Sequence, residues 1–161
     1  MKPHSRQALI LPSVLDRLFD DAPDSEADAS LPGFDLAAYK RTVARDLEWL
    51  LNSRNMPADG DDDLHPQAHA SILRFGIEDL SSLSLLDPDH RALLRDRLRL
   101  AIERHEPRLA KVRVALDAPG SNERSLRFRV DAVLKVHPGK PPVSFDAMLQ
   151  LASSACRVRD C

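Results

Sequence analysis

"IERHEPRLAKVRVAL", residues 102–116, changes its hydrophobic period halfway along. Up to His105 the apolar residues fall three and four apart, the spacing of one helix face. From Leu109 they tend to alternate, the spacing of a strand with one buried side. Glu106-Pro107-Arg108 marks the joint. Pro107 has no backbone donor and disfavours helical backbone at the residue before it, so the helix must end near Glu106 and Arg108 must open a strand. The charges beside the proline admit two readings. Glu106 and Arg108 are either an exposed pair worth under about 1 kcal/mol, or a carboxylate and a guanidinium held on a rigid corner, offering directional, bidentate hydrogen bonds to another chain.

Upstream of the joint the sequence is helical. In "LDPDHRALLRDRLRLAIERH", residues 86–105, Asp87 is a natural N-cap and Pro88 suits the first helical position. Leu94, Leu98, Ala101, Ile102 and His105 line one face, while Arg91, Arg95 and Arg99 run down another. In "ASILRFGIEDLSSLS", residues 70–84, Ile72, Leu73 and Phe75 make a helical turn that Gly76 closes, and Ile77 and Leu80 turn to the core. An earlier helix over about Asp35–Arg54 carries Tyr39, Val43, Leu47, Leu50 and Leu51 at helical spacing and stops before Pro57. Between these helices "ADGDDDLHPQAH", residues 58–69, reads as a solvated acidic loop. Gly60 stands in the wrong place for a calcium loop, no distal glutamate follows, and His65 and His69 have Pro66 between them and no third ligand.

Downstream the sequence alternates. Val112, Val114 and Leu116 point one way, Lys111, Arg113 and Asp117 the other. "SLRFRVDAVLKV" then places Leu126, Phe128, Val130, Ala132, Leu134 and Val136 on one side. "VSFDAMLQL" does the same with Val143, Phe145, Ala147, Leu149 and Leu151. The turns "APGSNER" and "HPGKPP" are short, so the three strands form an antiparallel meander. The predicted fold is α+β, with helices packed on one face of a three-stranded antiparallel sheet at the C-terminal end. Its parts are a flexible segment over 1–35, a domain over 36–151 and a tail over 152–161. The front, "DDAPDSEADASLPGFD", is too acidic and too poor in large apolar residues to order itself. Ahead of it Ser13 caps a short amphipathic helix with Val14, Leu15, Leu18 and Phe19 on one side, which docks either on its own domain or on a partner.

The chain has 161 residues, 43% hydrophobic and 30% charged, with a formal net charge of −2. That suits one soluble globular domain and pushes toward neither nucleic acid nor a membrane. The two cysteines, Cys156 and Cys161, form no framework. No signal peptide or spanning segment is visible, so a cytoplasmic address without membrane insertion is expected. There is no glycine-rich phosphate loop, nucleophile elbow or cysteine metal site. No cofactor, metal or catalytic residue is therefore predicted. Glu103, Glu106 and Asp131 could be proposed as the paired carboxylates of a sugar hydrolase, but any chain with 25 acidic residues offers such pairs, and aromatics are only 4%. Arg91, Arg95, Arg99, Arg113, Arg127 and Arg129 are either a solvated face with local ion pairs or a surface for an acidic partner.

The order of the segments also resembles a known family. "SVLDRLFDD" looks like its N-terminal signature and "VARDLEWLLNSR" like its first core helix. "SILRFGIEDLSSLS" matches its Gly-hydrophobic-x-Asp-hydrophobic stretch, and "IERHEPRLAKVRV" contains its Glu-Pro-Arg motif. "LRFRVDAVL" and "PVSFDAMLQL" look like its last two strands. This is similar to the TssE family of type VI secretion baseplate subunits, within the phage-tail, lysozyme-like wedge proteins, over roughly residues 10–151. The resemblance implies a structural, non-enzymatic role in a contractile injection machine, in the cytoplasm at the inner-membrane-attached baseplate. It implies contacts with the wedge proteins TssF and TssG, with TssK, and with the first layer of the TssB/TssC sheath. Glu106, Pro107 and Arg108 would then help lock the wedge core, and Val14, Leu15, Leu18 and Phe19 would form a second docking element. The third strand, with Val143 and Phe145, is the expected free edge for a sheath strand. A cell-wall hydrolase and a generic soluble interaction module are the alternatives.

Overall fold

Six apolar side chains three and four residues apart commit the first element to a helix. In the computed structural model, α1 spans Leu36–Asn52 and buries Tyr39, Val43, Ala44, Leu47, Leu50 and Leu51. The structure describes residues 36–55, 71–80, 83–118, 125–136, 139–150 and 155–161, with residues 13, 67 and 153. The expected docking helix with Val14, Leu15, Leu18 and Phe19 lies outside the described residues, as do the acidic loop 58–63, His65 and His69.

A single 3-10 turn, Ile72–Arg74, follows. Gly76 then takes a φ of +113°, a backbone region that disfavours side chains. A Cβ here would also sit 2.6 Å from the Ser53 carbonyl oxygen. That close approach lets Ile77 N–H donate to Ser53 (3.0 Å) and its carbonyl accept from Asn55 N–H (3.1 Å). Ile77 is thereby buried beside α1, while Ile72 points into solvent.

Helix α2 spans Pro88–His105. Asp87 caps it as the sequence predicts: its backbone is extended and its carboxylate accepts from Asp89 N–H at 2.9 Å. Leu94, Leu98, Ala101 and Ile102 are buried. At the far end Glu106 N–H still donates to Ile102, and Pro107 admits no further turn.

The strands are β1 (Leu109–Leu116), β2 (Ser125–Leu134), β3 (Pro142–Gln150) and β4 (Cys156–Asp160), in the order β1-β2-β3-β4 and antiparallel throughout. The inward sides of β2 and β3 are those predicted, Leu126 to Leu134 and Val143 to Leu149. One irregularity explains a parity conflict in the sequence. Leu109 and Val112 lie three apart, so a regular strand would send them to opposite faces, yet both are buried. A β-bulge between Ala110 and Arg113, with Lys111 at φ +55°, places two residues opposite one and returns both to the core.

The expected three strands become four. The stretch read as a tail contains β4, which pairs with β3 from Phe145↔Asp160 to Leu149↔Cys156. Five residues with three charges give a weak alternation signal, and pairing to β3 supplies the rest. β3 is therefore an interior strand. Val143 and Phe145, expected at a free edge, are core side chains, and Phe145 is fully buried.

Candidate functional site: a charged corner and an open sheet edge

The α2–β1 corner is closed by charge. Glu106 is the one buried charged residue among those described, with 4% of its surface exposed. Its Oε1 accepts from Arg108 Nε at 2.7 Å and from the Arg108 backbone N–H at 3.1 Å, and its Oε2 meets Arg108 Nη2. Arg108 Nη2 also reaches across to α1, where Asp46 Oδ2 lies 2.6 Å away. Asp46 Oδ1 accepts in turn from Arg45 Nε and Nη2 at 2.9 and 2.8 Å. The Arg108 guanidinium stands 5.8 Å from the Tyr39 ring centre, and that of Arg45 4.9 Å from the Trp49 ring centre. Burial alone would push Arg108 toward neutrality. The hydrogen bonds and charge of Glu106, then of Asp46, outweigh it and hold the guanidinium above its ordinary value.

The pair is turned inward. It is not exposed, and its bidentate face is spent within the chain. The carboxylate folds back onto its own corner and the guanidinium ties that corner to α1. What the corner presents outward is the exposed Pro107.

The two rims of the sheet are treated differently. Along β4, α1 caps the outward backbone groups of Cys156 and the N–H of Val158. The Asn52 amide donates to the Cys156 carbonyl at 2.8 Å and accepts from the Cys156 N–H at 2.7 Å, imitating a neighbouring strand. Glu48 Oε2 accepts from Val158 N–H at 2.9 Å, and Lys40 pairs with Asp160 at 3.4 Å. Cys156 sits under this seal. Burial, reinforced by the Glu48 charge, pushes its thiol up to about 12.

At β1 there is no such cover among the described residues. Asp117 N–H donates to Arg127 at 2.9 Å, and the register steps by two through Ala115↔Arg129 to Arg113↔Asp131. The backbone groups of those residues face β2, and those of Val114 and Leu116 face away from the sheet. Beside them lies a groove of about 430 Å³ lined by Pro88, Arg91, Ala92, Arg95, Val114, Ala115 and Leu116. An uncovered edge of this kind accepts an added strand.

The carboxylates considered for hydrolysis are not brought together. Glu106 is locked to Arg108, Glu103 pairs with Arg99 on the surface of α2 at 2.7 Å, and Asp131 accepts from Ser144 Oγ on the solvent side of the sheet. The basic residues divide likewise. Arg95 and Arg99 are paired with Asp96 and Glu103 along α2 and Arg129 with Asp146 across the sheet, whereas Arg113 and Arg127 project from the sheet. Among the described residues no cluster of His, Cys, Asp or Glu is placed to hold a metal, and no helix is long and apolar enough to cross a membrane. Sequence reasoning missed Asp46, Asn52 and Glu48. Asp46 carried a usable signal, an acidic residue wedged between the buried Val43 and Leu47.

Two of three comparisons are silent: no curated protein and no solved structure matches the chain. The third is informative. The profile of the family described as baseplate wedge protein gp25 matches residues 37–139, a span that runs from α1 through the Glu106–Arg108 corner to the turn after β2. TssE is the type VI homologue of gp25, so the match falls on the family that the order of the segments resembled. With its helices, its charged corner and its first two strands all inside the match, the chain belongs to the gp25 family of baseplate wedge proteins and takes a phage-tail-like baseplate role.

Proposed function

We propose that this chain is the gp25-type wedge subunit of a type VI secretion machine, joining the baseplate to the first layer of the contractile sheath. The observation that carries this reading is the contrast between the two sheet rims among the described residues, one capped by α1 and one uncovered beside a groove. In this reading the β1 edge takes a strand from a TssB/TssC sheath subunit, so that polymerisation begins on a preformed template. β1 replaces the third strand in that role, because β3 is paired on both sides.

The corner has the second role. Glu106 and Arg108 fix the angle between α2 and β1, and Pro107 with its surroundings meets TssF and TssG, with TssK further along the baseplate. The segment with Val14, Leu15, Leu18 and Phe19 docks separately on the wedge. No chemical step is assigned, and the site is cytoplasmic at the inner membrane.

Co-purification with TssF and TssG tests the wedge role, using wild type and a Glu106→Ala/Arg108→Ala variant whose folding is checked by circular dichroism. The wild type is expected in the complex and the folded variant outside it. Seeding of purified TssB/TssC by the wedge tests the edge. Leu116→Pro removes an outward N–H from β1 and is expected to abolish seeding without loss of TssF and TssG. A wild type that joins neither partner would overturn the proposal.

A further inference from the structure

The groove beside β1 has a sign. Its apolar floor is Val114, Leu116 and Ala92, and its helix-side wall carries Arg91 and Arg95. Arg113 and Lys111 project beside the same edge on the solvent side. A strand laid against β1 therefore has cations on both of its sides. Two acidic residues offset part of this charge: Asp96 on the helix side and Asp131 on the strand side. Asp96 engages Arg95 Nε at 3.3 Å, with half of the Arg95 side chain still exposed. Asp131, opposite Arg113 in the register, accepts from Ser144 Oγ at 2.6 Å. Arg91 donates through Nη2 to the Asp117 carbonyl, and its buried Nε has no hydrogen-bond partner.

Resting on the strand-addition reading above, we infer that the strand β1 accepts is acidic and alternating. Its apolar side packs on Val114, Leu116 and Ala92. Its other side carries carboxylates toward Arg113, and a further carboxylate at the rim meets Arg91 and Arg95. Opposite charges directly across an antiparallel pair are favourable and like charges are not, so a basic strand of the same apolar pattern is rejected. The exposed arginines Arg127, Arg157 and Arg159 extend the positive field over the rest of the sheet's solvent side and steer such a strand toward the edge, while Arg129 is paired with Asp146 at 2.9 Å. Among the described residues that side has no aromatic ring on which to stack a base, and Asp131 and Asp146 are held within it by Ser144 and Arg129. It therefore suits discrete carboxylates better than a continuous phosphate backbone.

Two synthetic peptides distinguish the outcomes, one alternating valine with glutamate and one alternating valine with lysine. Each is titrated into the full chain by fluorescence anisotropy, with backbone NMR shifts to place the contact. The valine–glutamate peptide is expected to bind at least about tenfold more tightly, to shift Val114 and Leu116, and to weaken with salt. In Arg95→Glu/Arg113→Glu, which alters two exposed side chains, the preference should reverse toward the lysine peptide. Equal binding of both peptides, or an unchanged preference in that variant, overturns the acidic-strand inference while leaving strand addition standing. Binding of neither peptide overturns both.

Discussion

At the scale of single residues the weight falls on Glu106. A buried carboxylate is stable only with its partners in place, and here one arginine supplies three of its contacts. Glu106→Ala leaves Arg108 half-buried with Asp46 as its remaining carboxylate and should cost about 3 kcal/mol in urea unfolding. Arg108→Ala strands the carboxylate instead and should cost as much. The double variant should cost less than the two single ones added together, because the second change removes the group that the first left unpaired. Additive losses would mean that the two side chains act separately. Sequence reading located this pair and left its direction open. Pro107 told where the helix ends, since that follows from a missing N–H. Whether the charges turn outward or inward depends on Asp46, about sixty positions away, which local pattern does not reveal.

At the scale of elements, propensity and period decided what formed, and side-chain chemistry decided what stayed open. α1, α2 and the first three strands were legible, because stripes such as Leu94-Leu98-Ile102 and alternations such as Leu126 to Leu134 leave one solution each. β4 was not. Its short charged sequence has no pattern of its own and is held by Asn52 and Glu48 from α1 as much as by β3. Asn52→Ala removes both hydrogen bonds to Cys156 and should cost about 1–2 kcal/mol. Its signature is faster amide exchange at Cys156 and Val158, with the β2–β3 pairing unchanged. If Cys156 exchanges no faster in the variant, the capping role of Asn52 is wrong. The bulge at Lys111 belongs to the same class. The parity clash between Leu109 and Val112 was present in the sequence, and only the pairing with β2 shows how it is resolved.

Over the whole molecule the small net charge conceals a division. Residues 16–35 hold seven acidic residues against a single arginine, and residues 58–63 hold four acidic and no basic ones. The folded body is correspondingly basic. One buried contact makes this body pH-sensitive. His105 packs edge-on to Phe75, with its Nε2 2.7 Å from the Arg74 carbonyl. Burial lowers its pKa below 6.5, the Arg74 hydrogen bond works against this, and the Arg104 charge adds to it. The folded state thus disfavours the imidazolium. Its contribution to stability is complete above about pH 6.5 and is lost as the pH falls through the lowered folded value. Urea midpoints measured from pH 7.5 to 5 should therefore decline, and His105→Gln should make that decline shallower. Parallel declines in the two proteins would remove His105 from the account. None of this was visible from the sequence, where His105 was simply one more position on the buried stripe of α2.

The unequal rims carry a consequence for counting. A sheet that can extend on both sides has a valence of two and propagates: each added strand leaves another place to add. If β1 accepts a strand as proposed, with Asn52 and Glu48 closing the β4 side, this sheet has a valence of one. It can stand at the end of a stack but not in its middle. A subunit of that kind cannot polymerise with itself through its sheet at any concentration, however many copies the cell makes. The number of stacks then equals the number of such ends, and growth from each of them has a single direction.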